Sequence, residues 1–112
     1  MNSLTLSGII TGDPQVFAPE GSESTKITFN IANNDNSKKI DGEWQSVPMF
    51  IEVGYWTKKP QNWIQKIVKG NKCSFVAPLK METWEQDGHK RSKLVAEIPS
   101  FSFPEIVEKE PF

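Results

Sequence analysis

The sequence predicts an all-β domain of five strands with one α-helix between the third and fourth. Three features carry this. Apolar residues alternate with polar ones at period two in short runs, as in Ile27-Thr28-Phe29-Asn30-Ile31, the mark of strands buried on one face. Eight Pro and seven Gly within 112 residues leave little room for long helices. A single stretch, Pro60 to Gly70, changes to the helical period. The length suits one domain with a core adequate for independent folding.

The first strand begins with Leu4 and Leu6 alternating with Ser3, Thr5 and Ser7, and runs to Ile9. Gly12-Asp13-Pro14 ends or bends it, and Val16-Phe17 begins a short pairing segment. Residues 18–24 form a polar turn or loop. The second strand holds Ile27, Phe29 and Ile31 inward. Asn33 through Gly42 is polar, carries Lys38 and Lys39, and reads as a long mobile hairpin loop. Glu43 to Val47 leads into the third strand, Pro48 to Lys59.

That third strand organises the chain. Met49, Ile51, Val53 and Tyr55 make its core face. Phe50, Glu52, Gly54 and Trp56 make the other, and a carboxylate and a glycine between two aromatics put that face in water. Two exposed aromatics followed by Lys58 and Lys59 suit base stacking beside a phosphate backbone. The helix follows, with Trp63, Ile64, Ile67 and Val68 on its apolar face, Pro60 in its first turn and Gly70 at its left-handed end. Cys73, Phe75, Ala77, Leu79 and Met81 alternate in the fourth strand, with a bulge or bend at Pro78. Asp87-Gly88 signals a hairpin turn into a fifth strand from Lys90 to Ile98. Phe101 and Phe103 stand ready to close the sheet before Pro104. Strand, strand, long loop, strand, helix, strand, hairpin, strand is the order of a five-stranded OB-fold barrel.

Motifs along this order resemble the bacterial-type single-stranded DNA-binding proteins (SSB family) from Asn2 to about Phe103. They are the opening strand with Gly8 and Asp13-Pro14, then Phe29-Asn30-Ile31-Ala32, then Phe50-Ile51-x-Val53-x-x-Trp56-x-Lys58. The helix with its terminal Lys69-Gly70 and the hairpin Leu79 to Trp84 with Asp87-Gly88 complete the set. The resemblance implies an OB-fold domain over 1–103, a homotetramer or homodimer, and sequence-independent binding of single-stranded DNA in replication, recombination or repair. It maps the stacking aromatics onto Phe50, Trp56 and Trp84. A further stacking position falls near Asn36, which is not aromatic, and Trp44 on the far arm of the same loop is the substitute. The family's usual fourth-strand glycine is replaced around Ala77-Pro78. Residues 104–112 form a short acidic tail ending Pro-Phe. Glu108, Glu110, Pro111 and Phe112 are similar to the family tip that recruits replication and repair enzymes, though Lys109 interrupts the acidic run and the family's long linker is missing. So compact a chain suggests a phage, plasmid or minimal variant.

Net charge is −1, but unevenly spread: −4 over residues 1–55, +6 over 56–93 and −3 over 94–112. Lys58, Lys59, Lys80, Lys90, Arg91 and Lys93 are the candidates for a phosphate track, and a solvated face is the other reading of each. Lysines outnumber the single arginine, which fits affinity without sequence reading. Phe50 and Trp56 either stack on bases or lie under a partner subunit. Trp84 stacks or packs, Trp44 stacks or anchors its loop, and Trp63 belongs to the core. His89 should be exposed in its turn and Cys73 buried.

With one His and one Cys, no Cys/His zinc site of the common type can be assembled within one chain. No nucleophile motif, paired carboxylate with a base, or phosphate-cradling loop is present, so neither catalysis nor a cofactor is expected. No apolar run approaches a membrane span and no signal peptide opens the chain. The expected place is therefore a bacterial cytoplasm and nucleoid, or a host cytoplasm for a phage- or plasmid-encoded chain. The alternative function is an OB-fold interaction module of the primosome accessory type, holding a protein on the same aromatic face.

Overall fold

A computed structural model describes residues 1–109. The five expected strands are present as β1 (Leu4–Ile10), β3 (Thr25–Asn33), β6 (Met49–Thr57), the pair β7 (Lys72–Ala77) and β8 (Leu79–Gln86), and β9 (His89–Ile98). Short β2 (Gln15–Phe17) pairs β3, β4 (Ser37–Ile40) pairs β5 (Glu43–Ser46), and β10 (Glu105–Val107) pairs β7. Strand order in the main sheet is β10-β7-β1-β3-β6-β9-β8, with β6 and β9 parallel. This is the OB order, with the fourth strand divided into β7 and β8 at Pro78.

Pro78 has no N–H to give a ladder, so the chain bends there, as its position predicts. The Asn2 side chain fills part of the gap: its amide donates to the Leu79 carbonyl at 2.8 Å and its oxygen accepts from the Leu79 N–H at 2.8 Å. No ladder joins β7 to β8, so strand pairing does not close the sheet into the expected barrel.

The core is the inner face of the sheet. Ile10, Ile27, Phe29, Ile31, Val53, Tyr55, Ile67, Cys73 and Ile98 are all fully buried. Period two places Ile10 in this core and turns Ile9 outward, so β1 extends one residue beyond the expected end. Gly8 is required where β1 meets β3, because a Cβ there would lie 2.6 Å from the Ala32 carbonyl oxygen. The Tyr55 ring meets Trp63 edge-on at 5.1 Å, a geometry worth about 0.5–1.5 kcal/mol beyond its burial. Burial pushes the Tyr55 phenol above its ordinary value; Thr57 opposes this, although the hydroxyl makes no hydrogen bond among the described residues.

Three expected elements differ. The helix is a single turn, α1 (Gln61–Ile64), followed by turns to Gly70 at φ 98°. Only Ile67 of its apolar set is fully buried, so too little of the helical face is packed to extend the helix. The stretch from Asn33 to Gly42 is not a long loop. It contains β4 and leads through Asp41-Gly42, at φ 52° and 82°, into β5. This is the same paired positive-φ turn as Asp87-Gly88, at φ 52° and 77°. Phe101 and Phe103 do not close the sheet; they lie in the irregular segment after β9 at 83% and 74% exposure, and the added edge strand is β10 after Pro104.

Candidate nucleic-acid interface

The outer face of β3, β6, β9 and β8 collects the site. Cross-strand register sets Lys26 beside Trp56, Gly54 beside Glu97, and Glu82 beside Lys93. Lys26 crosses β6 above Gly54, where a Cβ would meet its Cε at 2.6 Å. Its ammonium then reaches Glu82 at 3.7 Å and Glu97 at 3.8 Å and stands 5.8 Å from the Trp56 ring centre. Trp56 is half-buried and donates its indole N–H to Glu97 Oε1 at 2.8 Å. Lys80 donates to the same oxygen at 3.1 Å. Lys93 pairs with Glu52 at 2.9 Å and Glu82 at 3.9 Å, and lies 5.5 Å from the Trp84 ring centre.

Two tryptophans are therefore each backed by a lysine, and those lysines are held by carboxylates. Cation–π contacts of this kind are worth about 0.5–1 kcal/mol at exposed sites. The lattice contains Lys26, Lys80 and Lys93 against Glu52, Glu82 and Glu97, so it is electrically balanced. Partial burial pushes the Glu97 carboxyl up, but hydrogen bonds from Trp56 and Lys80 and the charges of Lys80 and Lys26 outweigh it and hold it below the ordinary range. The hydrogen bond to Glu52 raises the Lys93 ammonium; desolvation opposes it and the charges of Glu52 and Glu82 add to it.

The remaining sequence-derived residues surround this centre. Phe50 is 65% exposed at the start of β6, and Trp84 is exposed on β8. The continuous β8–β9 register keeps Trp84, Glu82 and Lys80 on one face with Arg91 and Lys93; Lys90, opposite Glu85, is on the other. Trp44 is exposed on the β4–β5 hairpin opposite Lys39. Its base is tied by the Val47 N–H to the Asn36 carbonyl at 2.8 Å and by the Ser46 hydroxyl to the Asn34 carbonyl at 2.9 Å. Lys58 and Lys59 are exposed beyond β6, and Lys58 pairs with Glu23 at 3.5 Å.

Trp63 is only half-buried: it stacks on Phe103 at 6.3 Å and lies under Lys66. His89 is exposed, and burial pushes the Cys73 thiol up to about 12. Glu108 is exposed, while Glu110, Pro111 and Phe112 lie outside the described residues.

Lys26 was not among the sequence candidates, nor were Glu52, Glu82 and Glu97. Period two, with Ile27, Phe29 and Ile31 inward, puts Lys26 on the outward face with Thr28 and Asn30, and the missing side chain at Gly54 leaves the room it crosses. The register that brings them together is not written in either strand alone.

The Single-strand binding protein family model matches residues 1–103, and the chain belongs to that family. It is 30% identical over 95 residues to a single-stranded DNA-binding protein of Aquifex aeolicus, covering 84% of this chain and 63% of the relative. One of the same name from Borreliella burgdorferi is 33% identical over 96 residues, with 84% and 63% covered. The chain thus spans 63% of the length of these relatives.

Among solved structures, a Plasmodium falciparum SSB complex with ssDNA matches with a TM-score of 0.79 at 16% identity, covering 96% of this chain and 93% of that one. A deletion mutant of the single-stranded DNA binding protein from Thermus aquaticus matches with a TM-score of 0.74 at 23% identity, covering 96% and 51%. At these identities the likeness is one of fold. Among the described residues no helix is long and apolar enough to cross a membrane, and no group of three metal-ligating side chains occurs.

Proposed function

We propose that the chain binds single-stranded DNA without reading its sequence, as a binding protein and not an enzyme. The observation that carries this is the pairing of Trp56 and Trp84 on one sheet face, each backed by a lysine. Bases stack on such rings at about 1–3 kcal/mol each, and every base has a π-face, so no sequence is selected. Phe50 extends the platform along β6 and Trp44 supplies a ring from the β4–β5 hairpin. Lys58, Lys59, Lys80, Arg91 and Lys93 neutralise phosphates around it, whereas Lys90 stands on the opposite face of the ribbon and is not part of this surface. Names of the relatives support the same ligand.

Residues 1–103 are the binding domain and 104–112 the acidic tail, whose first part adds β10 to the sheet. The chain works in the cytoplasm in replication, recombination or repair, as a homodimer or homotetramer. The tip around Glu108, Glu110, Pro111 and Phe112 recruits enzymes of those processes. Addition of oligo-dT should quench the tryptophan fluorescence at low salt; no quenching and no binding would refute the proposal.

One observation favours the interaction-module reading. The charge lattice is balanced, and a balanced face suits a protein partner as well as a polyanion. If oligo-dT fails to bind while a protein partner is lost on Trp56→Ala, the module reading replaces the first.

A further inference from the structure

We infer that the bound strand does not end at Trp56 but continues over Ser100 into a second stacking groove behind it; this rests on the single-strand reading above. The groove lies between the α1 turn and the segment after β9 and holds about 1010 Å³. Its walls include Trp63, Phe101, Phe103, Lys58, Lys59 and Lys66. Ser100 lines both this groove and the smaller cleft at Trp56, so the two adjoin.

Charge separates this groove from the sheet face. No acidic side chain lines it among the described residues. Lys59 and Lys66 make no ion pair among the described residues, and Lys58 has only the exposed Glu23, a pairing of little worth in water. On the sheet face the lysines of the lattice are already matched by carboxylates, so the groove is where an anion finds unmatched cations. Its aromatics are also laid out for flat ligands. Phe103 is parallel to Trp63 within 12°, and Phe101 and Phe103 remain 83% and 74% exposed. Lysines around open rings fit successive nucleotides, with phosphates on the ammonium groups and bases on the rings. An acidic aromatic peptide shares part of this chemistry, but the groove adjoins the Trp56 cleft at Ser100, and that selects the strand.

Lys66 and Phe101 are both exposed, so the double variant Lys66→Gln/Phe101→Ala should fold as wild type. Its affinity is compared with wild type on oligo-dT of about 5 and about 15 nucleotides, lengths near the two ends of the range occupied by single OB folds. The short oligomer should bind both proteins within about twofold, and the long one should bind the variant at least about fivefold more weakly. Equal loss on both lengths, or none on the long one, overturns the inference while leaving the sheet-face function standing. Wild type that binds neither oligomer overturns both. Loss of binding to an acidic peptide ending Glu-Pro-Phe, with the length dependence on DNA unchanged, assigns the groove to a protein and also overturns it.

Discussion

At the scale of single residues, two glycines are needed for opposite reasons. Gly8 faces backbone: a Cβ would press on the Ala32 carbonyl oxygen, which cannot move without shifting β3. Gly54 faces the flexible end of Lys26, which can swing aside. Gly8→Ala should therefore destabilise the fold by on the order of 1–3 kcal/mol, read from denaturant midpoints, whereas Gly54→Ala should cost less and act on binding by dislodging Lys26.

Glu97 makes a pH-dependent contribution. Its folded value is lowered, so its stabilisation is complete above the unfolded carboxyl value and is lost as pH falls through the folded one. Acidification through that window should lower Tm in wild type and do so less in Glu97→Gln. Protonation also frees Lys26 and Lys80, so affinity for oligo-dT should rise as stability falls, and this gain should be absent in Glu97→Gln.

At the scale of elements, the chain was most legible where one strand's own pattern decides the outcome. Val53 and Tyr55 are buried and Phe50 exposed as period two requires, although Met49 at the strand's start is exposed and Gly54 is buried beneath Lys26; Asp87-Gly88 makes its hairpin, and Pro78 bends the fourth strand. In sequence the β4–β5 hairpin reads as a loop: Asp41-Gly42 makes its turn, but polar residues on both faces hide its strands. A ribbon with no buried face shows no apolar alternation. The short α1 was hidden for a different reason: the helical period of Trp63, Ile64 and Ile67 is real, but packing takes up Ile67 alone in full.

The lattice of Lys26, Glu52, Glu82, Lys93 and Glu97 joins four strands, and only tertiary register reveals it. Because the β4–β5 ribbon is exposed throughout, replacing residues 37–46 by a short turn should leave the thermal transition of the domain intact. Loss of Trp44 with it should weaken oligo-dT binding by roughly tenfold, measured by fluorescence anisotropy of a labelled oligomer.

At the scale of the whole molecule, charge is arranged in two zones: a balanced lattice on the sheet face and unmatched lysines at its margins. Affinity for single strands should therefore draw on both stacking and counterion release, with the salt dependence coming chiefly from the lysines outside the lattice. Glu52→Gln/Glu82→Gln/Glu97→Gln frees three lysines, and a plot of log affinity against log salt should steepen by about two units.

The most direct test of stacking on this face is an equilibrium titration of wild type and Trp56→Ala/Trp84→Ala with oligo-dT and with duplex DNA at low salt. Wild type should prefer the single strand, with quenching, and the double variant should lose most of that affinity while keeping a cooperative unfolding transition. Equal affinity of wild type for the duplex, or undiminished oligo-dT binding by the double variant, would contradict it.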